Sequence, residues 1–185
     1  VDQDPEYENA VQFLGNMLYE QKKYAEAEKI YLHHLTLNRQ NPHIYYNLAL
    51  AQRKQDKLAD AVATYRNALV LAPRDADIHL QLADVLHQQG KTAPATDEYL
   101  KLLTNAPAHF EALQTVTALL IEQNRTNKAL EKIQDALKIN GTDHRIWYLL
   151  AQTYQAQENL VALSKALQNA LTRDPSNPHY RTAYL

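Results

Sequence analysis

Strides of 34 residues along the chain land on the same chemistry each time. From Leu14 the stride reaches Leu48, Leu82, Val116 and Leu150. One residue further, Gly15, Ala49, Ala83, Thr117 and Ala151 are small, with one modest exception. Ala27 leads to Ala61, Ala95, Ala129 and Leu163, Tyr31 to Tyr65, Tyr99, Ile133 and Leu167, and Leu35 to Leu69, Leu103, Leu137 and Leu171. The register holds without insertion or deletion from about residue 8 to 177. No other feature constrains the fold as strongly. A unit this short cannot bury its apolar face alone and must stack on its neighbours.

Each period holds two amphipathic stretches. Tyr45, Leu48, Ala49 and Gln52 fall at i, i+3, i+4 and i+7, the spacing of one helical face, and Leu58, Ala61, Tyr65, Ala68 and Leu69 repeat that pattern after a polar break. The break reads Lys22, Asp56, Gly90, Asn124 and Glu158. Gly, Asn and Asp tolerate the left-handed conformation that ends many helices. Lys22 and Glu158 do not, so strain or a different turn is expected there. Arg39, Pro73, Pro107, Gly141 and Pro175 occupy the joint between units, where proline and glycine stop the second helix. Asn41-Pro42 and Asn177-Pro178 then read as an N-cap followed by a first-turn proline. Thr92 is the candidate cap ahead of Pro94. Small side chains let helices cross closely, so Gly15, Ala49, Ala83 and Ala151 are expected to admit Ala27, Ala61, Ala95 and Ala129.

Composition narrows the function classes. A chain of 185 residues fits one domain or one repeat array. With 19 basic and 21 acidic residues the formal charge is −2, so no global positive field exists for nucleic acid or an anionic membrane. Cysteine is absent, which removes disulfides, thiolate metal sites and a cysteine nucleophile. Three glycines leave no material for a glycine-rich phosphate loop. No apolar run is long enough to cross a bilayer. The eight histidines are scattered: His33 and His34 are adjacent, His79 and His87 lie two turns apart, and no pair has metal-site spacing. Ser164 and Ser176, the only serines, cannot be assembled with a His–Asp pair by spacing. The expectation is no metal, no cofactor and no catalysis. The polar start Val1-Asp2-Gln3-Asp4 shows no signal-peptide pattern and is expected to reflect processing or excision from a longer chain.

The period, the large–small–large columns and the proline at the joint closely resemble the tetratricopeptide repeat (TPR), over about 170 of the 185 residues. Departures are local. His34 and Leu102 stand where Ala68, Ala136 and Ala170 are small, and Leu163 breaks the Ala27 column. The resemblance implies an all-α, right-handed superhelical α-solenoid of stacked helix-turn-helix repeats. The units would be 8–41, 42–75, 76–109, 110–143 and 144–177. Residues 1–7 would be the tail of a preceding unit or an extension, and 178–185 the start of a sixth unit or a capping helix.

The resemblance also implies that the first helix of each unit lines a concave groove. Its lining would include Phe13, Asn16, Tyr19, Tyr46, Asn47, Leu50, Leu80, Gln81, Asp84, Ile121, Tyr148 and Leu149. Aromatic and amide groups suit contact with a peptide. Trp147 belongs to the packed column of Tyr45 and Leu113, so it is expected in the core. Asp77, Asp84, Glu111 and Glu122 would make the middle acidic, between Arg53 with Lys54 and Arg145, and a ligand with apolar anchors and a basic stretch would fit. The carboxylate clamp that some family members use on peptide C-termini is incomplete. Asn16 and Asn47 match its asparagines, but Gln12, Asp77 and Gln81 stand at its cationic sites, so chaperone C-termini are not the expected ligand. The expected function is a non-catalytic interaction scaffold that binds a peptide segment or helix of a protein partner, without nucleic acid or membrane insertion. Two alternatives are the substrate-recognition arm of a larger enzyme such as a glycosyltransferase, and a self-associating module of a bacterial envelope or secretion assembly. The compartment, cytoplasmic or periplasmic, stays open.

Overall fold

A computed structural model of the chain describes residues 5–184, with the side chains of 9–183. The described residues form eleven α-helices and no strand. They alternate as hairpins: α1 (Pro5–Glu20) with α2 (Tyr24–Leu37), α3 (Pro42–Lys54) with α4 (Leu58–Leu71), α5 (Ala76–Gln88) with α6 (Thr92–Asn105), α7 (Phe110–Glu122) with α8 (Thr126–Ile139), and α9 (His144–Ala156) with α10 (Leu160–Arg173), followed by the short α11 (Pro178–Tyr184). The chain divides into two compact units, one ending at Glu98 and the other beginning at Tyr99, inside α6. In the first, α1 packs on α2, α2 on α3, α3 on α4 and α4 on α5. The second repeats this order from α7 to α11.

The five turns within hairpins have one geometry. Lys22, Asp56, Gly90, Asn124 and Glu158 all take a left-handed φ, between 57° and 72°. In the first turn the Lys22 N–H donates to the Tyr19 carbonyl and the Lys23 N–H to the Leu18 carbonyl, both at 2.9 Å. The same two bonds recur in the other four turns. This double closure satisfies carbonyls that the helix end would leave open. Lys22 and Glu158 therefore adopt the common turn, with the strain of a side chain in that region, about 1 kcal/mol each.

Helix starts follow the joints. Asn41 accepts from the His43 N–H at 3.0 Å, Asp75 from Ile78 at 3.1 Å, Asp143 from Arg145 at 2.9 Å and Asn177 from His179 at 3.1 Å. One expectation shifts. Thr92 is the first residue of α6 and not its cap, which still leaves Pro94 inside the first turn, where its missing N–H costs no hydrogen bond. Residues 5–7, expected as the tail of a preceding unit or an extension, form the first turn of α1, which runs 16 residues against 13 in α3. Proline at the start of a helix is favourable. Val1–Asp4 and Leu185 lie outside the described residues.

The repeating columns build both cores. In the first unit Val11, Leu18, Ala27, Tyr31, Leu35, Ile44, Leu48 and Ala51 form one buried cluster. Ala61, Tyr65, Ala68, Ile78, Leu82 and Leu86 are buried in the same unit. In the second, Leu113, Val116, Leu120, Ala129, Ile133, Ala136, Ile146, Leu167 and Ala170 are buried. Trp147 is half-buried; its Nε1–H donates to the Gly141 carbonyl at 2.8 Å and the Arg173 guanidinium lies 4.7 Å over its ring. Gly15 has a different partner from the one expected. A Cβ there would come within 2.3 Å of the Tyr31 ring, so it is the tyrosine, not Ala27, that demands the glycine.

Candidate functional site

In the first unit the register of α1, α3 and α5 sets out a three-by-three grid. Phe13, Asn16 and Glu20 share one face of α1 at i, i+3 and i+7. One stride on, Asn47, Leu50 and Lys54 do the same on α3, and Gln81, Asp84 and Gln88 on α5. None of the nine is buried. Phe13 is 73% exposed, a large apolar group held in water.

Two recesses open on this face. The smaller, about 200 Å3, is lined by Asn16, Tyr19, Glu20, Tyr31, Asn47 and Leu50. The larger, about 520 Å3, takes in Arg53, Lys54, Gln81 and Gln88 and shares Tyr19 and Leu50 with the first. Tyr19 stands between them, with its ring edge-on to Tyr24 at 5.2 Å. Burial, with Tyr24 and Glu20 nearby, pushes its hydroxyl above the usual value. Tyr46 lies edge-on to Tyr65 at 6.0 Å, and burial with Asp77 and Asp75 beside it raises its hydroxyl too. These tyrosines stay neutral hydrogen-bonding groups.

The amides are linked. The Tyr31 hydroxyl donates to Asn16 Oδ1 at 3.0 Å, and Asn47 Nδ2 donates to the same oxygen at 3.2 Å. Farther along the face, Arg53 Nη1 donates to Gln81 Oε1 at 2.8 Å and lies 3.6 Å from Asp84 Oδ2. Asp84, expected to help make the groove acidic, is thus matched by an arginine of the neighbouring helix. Leu80 is half-buried. Next to the site, the carboxylate of Glu28 accepts from Lys57 Nζ at 2.6 Å and from Gln55 Nε2 at 2.8 Å, tying α2 to the turn after α3.

The remaining predicted residues sit in the second unit. Tyr148 stacks on Tyr180 of α11, ring centres 4.8 Å apart, and His144 Nδ1 lies 2.8 Å from the Tyr180 hydroxyl. Ile121 is half-buried. Arg145, expected as a flanking cation, holds Asp143 at 2.7 Å and lies 4.2 Å over the Phe110 ring. Leu149, expected on the lining, is buried at 4%. The same register is half-buried at Asn47 and Gln81 and 73% exposed at Phe13, so position in the repeat does not fix how far its side chain is buried.

Sequence reasoning missed one participant. Tyr31 reads as a core column member, and it is buried, yet its hydroxyl reaches the site. Tyr65, one stride on, is also buried, and its hydroxyl has no partner among the described residues. The signal was present in the column Asn16, Leu50: the first can accept from the tyrosine below it and the second cannot. Among the described residues no group of three or more His, Asp or Glu could hold a metal ion, and no helix is long and apolar enough to cross a membrane.

Residues 10–45 and 120–184 match family models described as tetratricopeptide repeat, and residues 53–90 match one described as TPR repeat. Between them they cover well over half of the chain. No curated protein matches it. A tetratricopeptide repeat protein from Parabacteroides merdae ATCC 43184 superposes with a TM-score of 0.76 at 21% identity, over 95% of this chain and 70% of that one. MamA superposes at 0.74 and 14% identity, over 93% and 94%. YrrB, described as a TPR protein with an unusual peptide-binding site, superposes at 0.69 and 18% identity, over 91% and 87%. At these identities the likeness speaks for the fold. The repeat columns, the helical hairpins and the matches agree: the chain belongs to the tetratricopeptide repeat family.

Proposed function

We propose that the chain is a non-catalytic scaffold that holds an extended segment of a protein partner on the exposed face of α1, α3 and α5. The observation that carries this reading is the bonded pair Asn16 and Asn47 at the mouth of a recess, with Tyr19 and Leu50 beside it. Amides can satisfy both the carbonyl and the N–H of a main chain. Phe13 and Tyr46 supply apolar and aromatic surface next to them, the kind that anchors interfaces. Peptide capture by the structural neighbour YrrB is consistent with this use of the fold. The partner's charge need not be basic near Asp84, because Arg53 already answers that carboxylate.

A random-peptide phage library selected on the whole chain supplies the test. A selected, synthesised peptide should bind the double variant Tyr46→Ala/Asn47→Ala at least tenfold more weakly, the loss of about 1.4 kcal/mol, while the variant's helical circular dichroism is retained. Equal affinity for both proteins would refute the placement.

A further inference from the structure

Two asparagines that turn freely would read nothing about the direction of a peptide, because each could offer either end of its amide. Here that freedom is removed. Asn16 Oδ1 accepts two hydrogen bonds, from the Tyr31 hydroxyl and from Asn47 Nδ2, so both of its lone pairs are used. Among the described residues Asn16 Nδ2 and Asn47 Oδ1 have no protein partner. The pair therefore shows a ligand a donor at Asn16 and an acceptor at Asn47.

We infer that the buried Tyr31 hydroxyl sets this polarity, so that the pair takes a main chain in one orientation, carbonyl towards Asn16 and N–H towards Asn47. Tyr31 is a positioning residue: it acts through Asn16 and is itself 1% exposed. The opposite amide orientation would aim the NH2 of Asn16 at both the Tyr31 hydroxyl and Asn47 Nδ2 and take from each the acceptor it now has, which is costly. Burial pushes the Tyr31 hydroxyl up to about 12, so it remains a donor across the physiological range. Gly15 is part of the device. Only a residue without a Cβ lets the Tyr31 ring cross α1 at this point and reach Asn16. The arrangement is not a general consequence of the repeat. In the next unit Ala49 and Leu50 replace Gly15 and Asn16, and the Tyr65 hydroxyl is left without a partner among the described residues. The chemical class read by this point is an unsubstituted peptide N–H beside an extended carbonyl, which excludes proline from the position facing Asn47.

This inference rests on the function proposed above, and the experiment separates the two. The phage-selected peptide is remade with each backbone amide in turn replaced by an ester, which removes one N–H donor without adding bulk. Affinities are measured calorimetrically for the wild type, Tyr31→Phe, Asn16→Asp and Asn47→Ala. One ester should cost the wild type about tenfold. Tyr31→Phe should bind the parent peptide about fivefold more weakly, and the penalty for that ester should shrink to about twofold, because the released amides can turn. Asn16→Asp keeps the oxygen that Tyr31 and Asn47 bond to but loses the donor, so it should bind about tenfold more weakly or worse. An unchanged affinity and ester profile in Tyr31→Phe, with Asn47→Ala still weak, overturns the positioning role and leaves the binding site standing. Unchanged affinity in both Asn16→Asp and Asn47→Ala, or no peptide selected at all, overturns both. If Tyr31→Phe fails to fold, Asn16→Asp decides: binding as tight as the wild type overturns the inference, because a donor fixed at Asn16 is then not read, and a loss of about tenfold supports it.

Discussion

Tyr31 and Tyr65 occupy the same place in consecutive repeats, both fully buried on a second helix, and their hydroxyls meet different fates. The first passes a glycine and ends on Asn16; the second has no partner among the described residues. The rings do equal work in the core. Where the first repeat has Gly15 and Asn16, the second has Ala49 and Leu50. A repeat column therefore fixes packing, while the residues next to the column decide what a buried side chain can do at the surface.

The strongest way to break this comparison is to place a Cβ at Gly15. Gly15→Ala should destabilise the protein by about 2 kcal/mol through overpacking against Tyr31, read by urea denaturation. In a Tyr31→Leu background the same change should become stabilising by about 1 kcal/mol, because alanine is the better helix former once the ring is gone. A loss of equal size in both backgrounds would show that Tyr31 is not the obstacle.

Glu28 tests what else distinguishes the first repeat, since Val62 stands at its position in the second. Burial would raise the Glu28 carboxyl, but hydrogen bonds from Lys57, Gln55 and Gln52 outweigh it and hold the group below the usual carboxylate value. A lowered folded-state pKa means that the contribution to stability is complete above the unfolded value, about 4.3. It is lost as pH falls through the folded value. Glu28→Gln should cost about 2 kcal/mol at neutral pH. The gap from wild type should close as the pH is lowered beneath the carboxylate range, in thermal melts at stepped pH. A constant gap would show that the charge is not what holds α2 to the following turn.

The hydroxyls themselves provide a smaller and more direct contrast. Tyr31→Phe removes a made hydrogen bond and should cost about 1 kcal/mol. Tyr65→Phe removes a buried group without a partner and should be neutral or slightly stabilising. Leu50→Asn should sharpen the case by giving Tyr65 the acceptor it lacks, after which Tyr65→Phe becomes costly. The smallest effect belongs to the turns. Lys22→Gly and Glu158→Gly should each stabilise by roughly 0.5–1 kcal/mol by relieving a left-handed side chain. Asp56→Gly and Asn124→Gly should gain less, because Asp and Asn already tolerate that conformation.

Much of this was legible before any coordinates. The stride of 34 identified each helix pair, the position of the turns and the buried columns, because one helical period and one repeat length leave little choice of face. Asn16, Asn47, Leu50, Gln81 and Asp84 fell on one face of the first unit for the same reason. Lys22 and Glu158, where strain or a different turn was expected, take the strained turn, because the two closing hydrogen bonds outweigh local preference. The misreadings lie elsewhere. Leu149 matched the register of Phe13 and Asn47 yet packs inside, because the neighbours that cover a position are not specified by its place in the repeat. Arg53 and Arg145 were read as cations flanking an acidic middle, and their partners are side chains whose reach a linear pattern does not specify.

Local chemistry repeated at a fixed interval was enough to establish that this chain folds as nested helical hairpins, because each unit has an apolar face that only another unit can cover. Which amide end faces outward, which tyrosine is satisfied and which leucine is withdrawn were settled only in three dimensions. Those outcomes depend on contacts between residues 15 to 31 positions apart, such as Tyr31 with Asn16 and Asn47 with Asn16, where a few tenths of an ångström or one missing Cβ selects the partner.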